Sequence, residues 1–310
     1  MNKINILVTG GGFIMSNFIR YMIKNFSEYK ISSIDNISNV KDINSIYTNK
    51  SHQFYLADIC DSHIVDRIFE IEKPDIVIHG AIQNSSDLIK TNILGTQILI
   101  DAALKHNSKF IYFSTDKIYG FLNNDKPWTE ESPINPQDLY SATKASSELL
   151  VKAANITHGL KYNIIRSCNN YGPRQNRQYL IPAIVANIIE EKEVVLFNSG
   201  KNEHTFIHVQ DSANGIKTVI DKGVDNEIYN LSSGAEFSTI EVFGEICNIM
   251  GKGNDLLKFE PGEQKFKYSS DSSKLKNLGW KPEFKFKGAE GGLSHTINWA
   301  QNNYYWHLRQ

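Results

Sequence analysis

Short apolar runs alternate with longer amphipathic segments from residue 1 to about residue 166, and this alternation restricts the fold more than any other feature. Parallel strands that are buried on both faces are apolar throughout, whereas the helices that connect them keep one polar face. The predicted strands are Ile4–Thr9, Ile31–Asp35, Gln53–Asp58, Ile76–His79, Phe110–Ser114 and Tyr162–Arg166. The predicted helices are Phe13–Asn25, Asp61–Ile71, Asn92–His106 and Leu139–His158. Right-handed connections then bring the carboxyl ends of all strands to one edge, where a ligand crevice is expected.

The regular pattern ends after Tyr162–Arg166. Asparagine, glycine and proline residues are concentrated between 169 and 182, and the helices that follow alternate with Gly- and Lys-rich loops. The sequence therefore predicts an α/β protein in which residues 1–167 form a Rossmann-type, doubly wound parallel sheet. Residues 168–204 and 233–310 are predicted to form a smaller, irregular substrate lobe. Phe206–Val209, the helix after it and Glu227–Leu231 are predicted to return the chain to the first lobe, near 205–232.

The composition favours small-molecule chemistry. The 310 residues include 33 basic and 34 acidic side chains, so no broad electrostatic attraction to nucleic acid or to an anionic membrane is expected. Cys60, Cys168 and Cys247 are far apart, which argues against a disulfide framework and against a zinc site. The apolar run at the N-terminus is too short for a signal peptide, and nowhere are about 18 apolar residues consecutive. The protein is therefore expected to be cytoplasmic.

A glycine-rich turn follows the first predicted strand. Gly10-Gly11-Gly12-Phe13-Ile14-Met15 fits the pattern G-x-G-x-x-G, except that Met15 occupies the last position. Because the turn lies between a strand and a helix, the backbone N–H groups of the helix N-terminus can bind a pyrophosphate. The alternative is an ordinary tight turn. We expect Gly10, Gly12, Phe13 and Ile14 to contact a dinucleotide.

Two carboxylates end the next strands of the predicted sheet. Asp35 comes about 20 residues after the turn, where a carboxylate can accept hydrogen bonds from a ribose diol. A carboxylate repels a 2′-phosphate, and the neighbouring Asn36 is not an arginine, so NAD is favoured and NADP is the alternative. Asp58 is a candidate for binding the adenine amino group, although it could instead cap the helix that begins near Asp61.

Three side chains combine into a candidate oxidation site. The fifth strand ends at Thr115, and a later helix carries Tyr140 and Lys144. A spacing of four places Tyr140 and Lys144 on one helix face, and an ammonium beside a phenol lowers the pKa of the tyrosine. Tyr140 then becomes a usable base for a sugar hydroxyl. Y-x-x-x-K alone more often marks a solvated helix face, and only its combination with Thr115 and the glycine turn favours catalysis.

Several further motifs resemble those of the extended short-chain dehydrogenases/reductases that act on nucleotide sugars, and the resemblance extends from Ile4 to about Trp299. The family's glycine turn is matched with one residue fewer, and its H-x-A-A stretch is matched in part by His79-Gly80-Ala81-Ile82. Its other motifs are matched by Thr91-Asn92-Ile93-Leu94-Gly95-Thr96, Arg166-Ser-Cys-Asn169-Asn-Tyr171-Gly172-Pro173 and Leu278-Gly279-Trp280-Lys281-Pro282. The resemblance implies that Ile59 and Ala81 also contact the cofactor.

Asp116-Lys117, directly after Thr115, resembles the acid and the second proton-transfer group of nucleotide-sugar 4,6-dehydratases. A lysine in the second position is similar to the UDP-N-acetylglucosamine 4,6-dehydratases that invert C5, and the chain looks closest to their giant-virus type. The resemblance implies that Tyr140, with Lys144 and Thr115, takes the proton from the 4-hydroxyl during oxidation at C4. It further implies that protonated Asp116 is the acid toward the C6 hydroxyl and neutral Lys117 the base at C5. UDP-glucose and dTDP-glucose are alternative substrates.

Three other interpretations remain open from the sequence. Asp116-Lys117 could be an exposed ion pair at a strand end. The protein could be a 4-epimerase or a reductase of the same family. It could also be a catalytically silent NAD-binding sensor or scaffold, which Met15 and the shortened turn favour and which the complete Thr115, Tyr140 and Lys144 set disfavours.

The resemblance also implies contacts with a UDP-sugar and with a second subunit. The implied substrate-binding residues are Asn169 near the diphosphate, Leu196 and Phe197 beside the uracil, and also Leu180, His204 and Lys267. His204 is in a position where the family has an arginine, and it is expected to bind phosphate oxygens together with Lys267. His204 and His208 are four apart on a predicted strand with no third ligand near, so no metal is expected. The helices near 92–106 and 139–158 resemble those of a four-helix dimer interface, and a homodimer is expected.

Overall fold

The computed structural model describes residues 3–38, 51–83, 87–122, 126–262 and 266–303. Its strands are β1 (Ile4–Thr9), β2 (Tyr29–Asp35), β3 (His52–Leu56), β4 (Ile76–His79), β5 (Lys109–Thr115), β6 (Tyr162–Ser167), β7 (Asn169–Tyr171), β8 (Val194–Phe197), β9 (Glu203–His208), β10 (Glu227–Leu231), β11 (Glu236–Ser238) and β12 (Leu257–Glu260). Its α-helices are α1 (Phe13–Asn25), α2 (Ser62–Glu72), α3 (Thr96–Lys105), α4 (Leu139–His158), α5 (Leu180–Ile189), α6 (Val209–Lys222), α7 (Thr239–Met250), α8 (Ser273–Asn277) and α9 (Gly292–Asn302).

The central sheet has seven parallel strands in the order β10-β6-β5-β4-β1-β2-β3. From β1 the chain builds outward through β2 and β3, and it then returns to the other side of β1 with β4, β5 and β6. The strand order therefore reverses between β1 and β4, which is where a doubly wound sheet opens its ligand crevice. The predicted Rossmann-type fold is confirmed.

Helices cover both faces of this sheet. Ile6 and Val8 of β1 point to the face covered by α1 and α6, whereas Leu7 between them points to the face of α2, α3 and α4. All three side chains are fully buried. Strands buried on both faces explain why the sequence shows continuous apolar runs rather than alternation. Within the described residues no helix is long and apolar enough to cross a membrane.

The second lobe has its own small core. The strands β11, β9 and β7 form a three-stranded sheet, β12 pairs with β8, and α5, α7 and α9 pack around them. The expectation that Phe206–Val209 returns to the first lobe as a sheet strand is wrong, because β9 pairs with β7 and β11 instead. The chain returns only afterwards, when α6 packs against α1 and β10 joins the central sheet beside β6.

The helix predicted over Asn92–His106 begins differently. Residues Lys90–Gly95 form a π-helix, and α3 starts at Thr96. The hydroxyl of Thr96 donates to the carbonyl of Asn92 at 2.6 Å, and Ser147 Oγ lies 2.6 Å from the same oxygen. Hydroxyls that bind a helical carbonyl compete with its backbone partner, and such bonds often bend a helix.

Candidate active site

The glycine turn leaves a cradle at the N-terminus of α1. Gly10 has a φ of +89°, and a Cβ on it would lie 2.8 Å from the backbone nitrogen and Cα of Ala81. Gly12 is the N-cap of α1 with no side-chain cap, and a Cβ there would meet nothing within 4 Å. Uncapped helical N–H groups that face open space suit an anion such as a pyrophosphate.

Asp35 closes the other side of this cradle. Its carboxylate accepts hydrogen bonds from the backbone N–H of Gly11 and, at 2.5 Å, from that of Ile37. Burial raises the pKa of Asp35, and the two backbone donors oppose this shift. The neighbouring Asn36 accepts a hydrogen bond from Ser38 N at 3.0 Å. Asp35 therefore lies against the glycine turn, where a ribose diol would compete for its oxygens.

Asp58 follows β3 and does not cap α2. Its Oδ1 accepts a hydrogen bond from Cys60 N at 2.9 Å, whereas Asp61 Oδ1 accepts from His63 N and Ile64 N, both at 3.1 Å. The capping alternative for Asp58 is therefore wrong, since Asp61 has that role. Ile59, the next residue, is buried and would contact any Cβ placed on Gly95 at 2.7 Å.

Met15, at the last position of the glycine pattern, packs against Gly80. A Cβ on Gly80 would lie 2.6 Å from Met15 Cγ and 2.7 Å from its Cε. The last glycine of the pattern normally allows a helix to approach the sheet closely. In this chain the helix carries the large side chain, and the glycine after β4 provides the space for it.

A hydrogen-bonded chain joins the ends of β1 and β4 to α3. The Thr96 hydroxyl donates to a carbonyl, so at 2.8 Å it accepts from His79 Nε2–H. His79 Nδ1 then accepts from the Thr9 hydroxyl at 2.7 Å, and Thr9 Oγ1 accepts from Ala81 N–H at 3.4 Å. Burial, with Lys144 nearby, lowers the pKa of His79 well below its usual value. A neutral histidine with one defined tautomer therefore fixes the turn that carries Ala81.

Asn92 connects the cofactor side of the site to α4. Its side-chain amide donates to the Gln83 carbonyl at 3.0 Å and to Thr143 Oγ1 at 3.0 Å, and its Oδ1 accepts from Gln83 N at 2.8 Å. The loop after β4 is thereby held against the helix that carries Tyr140 and Lys144. The Thr-Asn motif gave the position of Asn92, but this positioning contact was not predicted from the sequence.

The helix α4 begins with a capping box formed by Asp138 and Ser141, and this cap fixes the first turn of the helix, which carries Tyr140. Lys144 Nζ donates to the Phe113 carbonyl at 2.6 Å and lies 4.1 Å from the centroid of the Tyr112 ring. Burial lowers the pKa of Lys144 to about 7, although Glu148 raises it.

The pKa of Tyr140 is raised rather than lowered. Burial is the main cause, and Tyr179, Asp138 and Asp116 contribute. The expectation that Lys144 lowers this pKa is wrong for this structure, because the Lys144 Nζ is turned toward the Phe113 carbonyl. In the structure Tyr140 is therefore a phenol at neutral pH.

Asp116 begins a 3₁₀ turn, Asp116–Tyr119, directly after β5. Only 3% of the residue is exposed, and among the described residues its Oδ2 has no hydrogen-bond partner. Burial raises the pKa of Asp116 to about 7, and Lys117 opposes the shift. The alternative of an exposed ion pair is wrong, since the carboxyl is buried. Thr115, the last residue of β5, caps this turn, because its Oγ1 accepts a hydrogen bond from the backbone N–H of Lys117 at 3.3 Å.

Buried hydrogen bonds connect this 3₁₀ turn to β6 and α4. Arg166 on β6 binds Glu148 on α4 through Nη2 at 2.7 Å, and its Nη1 donates to Tyr119 OH at 2.8 Å. Tyr119 OH donates to Asn230 Oδ1 at 2.7 Å. Arg166 and Glu148 are almost fully buried, and the pair raises the pKa of Arg166. Glu148 was missed from the sequence, although an acidic residue one turn after Lys144 on a buried helix face was a usable signal.

Comparison with known proteins agrees with this geometry. The model of the "NAD dependent epimerase/dehydratase family" matches residues 6–232. The chain belongs to this family. It is 33% identical over 315 residues to the low-salt glycan biosynthesis protein Agl12 of Haloferax volcanii, with 95% of this chain and 98% of that protein covered. It is 35% identical over 333 residues to dTDP-glucose 4,6-dehydratase of Haemophilus influenzae, with 95% and 97% covered.

A solved family structure has the same fold along nearly the whole chain. The crystal structure of dTDP-glucose 4,6-dehydratase from Bacillus anthracis, in complex with NAD, superposes with a TM-score of 0.92 at 32% identity. The superposition covers 98% of this chain and 98% of that one.

The phosphate-binding residues implied by the family resemblance are engaged within the protein. Asn169 Nδ2 donates to His204 Nδ1 at 2.9 Å, which brings these two residues together. Burial, and secondly Lys117, lowers the pKa of His204 to about 4, so this ring is neutral at pH 7. Lys267 Nζ lies 2.7 Å from Glu236 and 3.7 Å from Glu203. His204 therefore carries no charge that would attract a diphosphate, and two carboxylates offset the charge of Lys267. Binding of phosphate oxygens by these two residues stays a prediction.

The apolar residues implied to bind the substrate have different environments. Leu196 is 3% exposed and belongs to the core of the second lobe, whereas Phe197 next to it is 52% exposed. Leu180 begins α5 and packs on the edge of the same core. Leu196 cannot flank a base without repacking, so the expectation for that residue is wrong. The described residues contain no group of three metal-ligating side chains.

Proposed function

We propose that this protein is an NAD-dependent nucleotide-sugar 4,6-dehydratase. The observation that carries the proposal is the buried Asp116 carboxyl, whose Oδ2 has no hydrogen-bond partner among the described residues. A 4-epimerase or a reductase needs a base at the 4-hydroxyl but no acid for a leaving hydroxyl at C6. A carboxyl with a pKa near 7 is a general acid at neutral pH. The similarity to dTDP-glucose 4,6-dehydratases supports the same reaction class.

The cradle at the start of α1 fits NAD. Gly10, Gly12, Phe13 and Ile14 would hold the pyrophosphate, and Asp35 would bind the adenosine ribose. When bound, NAD supplies a hydride acceptor for C4 and a hydride donor for C6. Since the Asp35 carboxylate repels a 2′-phosphate, we expect cofactor-free protein to bind NAD more tightly than NADP. Calorimetric titration with both cofactors measures this, and tighter binding of NADP would contradict the role of Asp35.

Oxidation at C4 requires a base for the 4-hydroxyl proton. We assign this role to Tyr140, with Thr115 holding the same oxygen. Burial disfavours the phenolate, so a nearby cation has to stabilise it. Lys144 is one turn further along α4, and we assign it this role in the ternary complex, where its Nζ has to leave the Phe113 carbonyl that it contacts at 2.6 Å in this structure.

Elimination of water across C5 and C6 requires an acid and a base. Protonated Asp116 gives its proton to the C6 hydroxyl, which leaves as water. Lys117 in its neutral form removes the C5 proton. Because Asp116 and Lys117 are consecutive on the 3₁₀ turn after β5, one short segment supplies both groups.

The substrate we propose first is UDP-N-acetylglucosamine, with inversion at C5. The support is Lys117, whose flexible stem is longer than that of a glutamate. After it has removed the C5 proton from one face, its ammonium can return a proton to the opposite face. A hexose substrate, dTDP-glucose or UDP-glucose, is the second candidate, and the curated dTDP-glucose dehydratases at 33% to 35% identity favour dTDP-glucose.

We also propose a homodimer formed by the helices near 92–106 and 139–158. Leu149 and Ile156 are seven residues apart on α4, so they share one helix face. Leu149 is 59% exposed and Ile156 is 82% exposed. Ile89 and Leu94, before α3, are also exposed. Exposed apolar side chains on neighbouring helices are typical of a subunit interface.

Mass spectrometry of products from a panel of UDP-, dTDP- and CDP-sugars tests the reaction and the substrate together. A dehydratase gives a product lighter by one water, with a 4-keto group that absorbs in alkali. A 4-epimerase gives an isomer of unchanged mass. Retention of NAD without any turnover would instead support the catalytically silent sensor or scaffold.

A further inference from the structure

The ring of Tyr268 is held in one orientation beside the 3₁₀ turn. Its face stacks on His204 at 6.2 Å between ring centroids, with 19° between the planes. Phe121 and Phe266 contact it edge-on at 5.4 Å and 5.5 Å. The backbone of Tyr268 is fixed by hydrogen bonds with Glu203 O at 3.1 Å and with Thr205 Oγ1 at 3.2 Å. With 6% of the residue exposed, this ring cannot turn without repacking its neighbours.

Lys117 Nζ lies over this ring, 6.0 Å from its centroid. The titratable groups that surround Lys117 are Asp116 on its own turn, His204 on β9 and Tyr268. His204 is neutral at pH 7, and burial keeps the Tyr268 hydroxyl protonated by raising its pKa. Among the described residues no carboxylate oxygen lies within 4.0 Å of Lys117 Nζ, so the ring face is the electron-rich surface next to this amine.

We propose that Tyr268 is a positioning residue that directs the Lys117 amine toward C5 of the sugar and stabilises the charge the amine gains there. This inference rests on the proposed dehydratase function. In the elimination step the Nζ lone pair takes the C5 proton, and the C5–H electron pair forms the C5–C6 double bond. The C6–O bond breaks with its electron pair, and the oxygen takes the Asp116 proton and leaves as water. Nζ thereby changes from a neutral amine to an ammonium.

The ring face acts differently on these two forms of Lys117. An aromatic face attracts an ammonium and has little attraction for a neutral amine. In a substrate complex whose Lys117 is already neutral, as the elimination step requires, Tyr268 therefore stabilises the transition state of elimination more than the bound substrate. Such an interaction raises kcat rather than lowering KM. The contact does not require the tyrosine hydroxyl, so a phenylalanine would retain it.

The decisive comparison is Tyr268→Leu against Tyr268→Phe. We expect kcat to fall about 3- to 30-fold in Tyr268→Leu, which is the range of a cation–π contact between exposed and desolvated sites. KM stays within a few-fold, and Tyr268→Phe stays close to the wild type. With substrate deuterated at C5, the isotope effect on kcat increases in Tyr268→Leu, because elimination becomes more rate-limiting. A lower kcat with an unchanged isotope effect would mean a merely structural role and would overturn the proposal.

A second measurement needs no substrate. The reactivity of Lys117 toward an acylating reagent, followed by peptide mass spectrometry across a pH series, reports the pKa of its amine. Removal of the ring in Tyr268→Leu should move the onset of reactivity to lower pH by about 0.5 to 1.5 units, and Tyr268→Phe should not. Lys274 Nζ lies 5.3 Å from the Tyr229 ring and is the internal reference that should not change.

The outcomes separate this inference from the function on which it rests. Active wild type with unchanged kcat, isotope effect and Lys117 reactivity in Tyr268→Leu overturns the role of Tyr268 alone. Wild type that forms no 4-keto-6-deoxy product from any nucleotide sugar overturns the dehydratase proposal and this role with it. A lower kcat with a larger isotope effect in Tyr268→Leu, both absent in Tyr268→Phe, supports the dehydratase function and the role of Tyr268.

Discussion

At the scale of single residues, Asp116 is the group whose protonation decides the chemistry. Burial raises its pKa to about 7, so at pH 6 the carboxyl is mostly protonated and at pH 8 mostly ionised. Only the protonated form can give a proton to the C6 hydroxyl. The fraction of this acid therefore decreases as the pH rises through about 7. Asp116→Asn has no carboxyl proton to give, so its kcat for the 4-keto-6-deoxy product should be lost at every pH. Product formation by Asp116→Asn at a rate close to that of the wild type would contradict Asp116 as the acid.

The same residue makes a prediction about stability. The folded pKa is above the unfolded one, so the folded protein binds more protons between about pH 4 and 7, and stability is lost as the pH rises through this window. The loss is on the order of 1.4 kcal/mol per unit of pKa difference. Asp116→Asn cannot ionise, so it should be more stable than the wild type at pH 8 and similar to it near pH 4. Urea unfolding at both pH values measures the difference.

Lys117 carries the stereochemical part of the proposed function. Loss of a general base typically slows a reaction by about two to four orders of magnitude, and this is the expected effect of Lys117→Ala on elimination. In deuterated buffer the first-formed product of the wild type should carry deuterium at C5 with inverted configuration. Retained configuration, seen by NMR at early times, would contradict inversion but leave the dehydratase reaction in place. Unchanged turnover in Lys117→Ala would remove this residue from the mechanism.

At the scale of secondary-structure elements, α1 packs against the residue after β4 through Met15 and Gly80. In the usual glycine pattern the small residue is on the helix, whereas here the helix carries the large side chain. Met15 fills the space beside Gly80, so we expect Gly80→Ala to be destabilising by about 1–3 kcal/mol through overpacking. Shortening the opposing side chain in Met15→Ala/Gly80→Ala should recover part of this loss. A double-mutant cycle of unfolding free energies should therefore give a coupling of about 1 kcal/mol or more.

A matched control separates this contact from the general effect of replacing glycine. Gly244 lies within α7, and a Cβ on it would meet nothing within 4 Å. Gly244→Ala should be neutral or stabilising, because alanine is the better helix former. Additive effects in the cycle between Met15 and Gly80 would show that the two side-chain positions do not depend on each other.

The same scale shows where sequence patterns fail. The ends of the six predicted strands and of three predicted helices in the first lobe lie within two residues of those observed. The strands there are continuous apolar runs, and the buried faces of the helices follow a regular period. In the π-helix at Lys90–Gly95, one carbonyl is contacted by the hydroxyls of Thr96 and Ser147, and Ser147 is more than 50 residues away in sequence, so no local pattern reports this contact. The position of β9 depends on pairing with β7, a three-residue strand too short to show a pattern.

At the scale of the whole molecule, the order of the motifs predicted which residues form the site, but it did not predict their protonation states. Thr115, Asp116 and the α4 residues come together because their elements are consecutive around one sheet edge. The protonation states depend on depth of burial, which no local pattern gives. Lys144 is turned toward the Phe113 carbonyl, and His204 is neutral within a ring cluster, for this reason.

Assembly is the property of the whole molecule that the proposed interface makes testable. Leu149 lies at the centre of the exposed face of α4, so Leu149→Asp places a charge where two apolar faces would meet, and a buried unpaired charge is costly. We expect the wild type to sediment as a dimer and Leu149→Asp to shift toward monomer at micromolar concentration. Val224, which is 61% exposed on the loop between α6 and β10, provides the control, and Val224→Asp should stay dimeric. A wild type that is monomeric at every concentration would show that these helices do not form the interface.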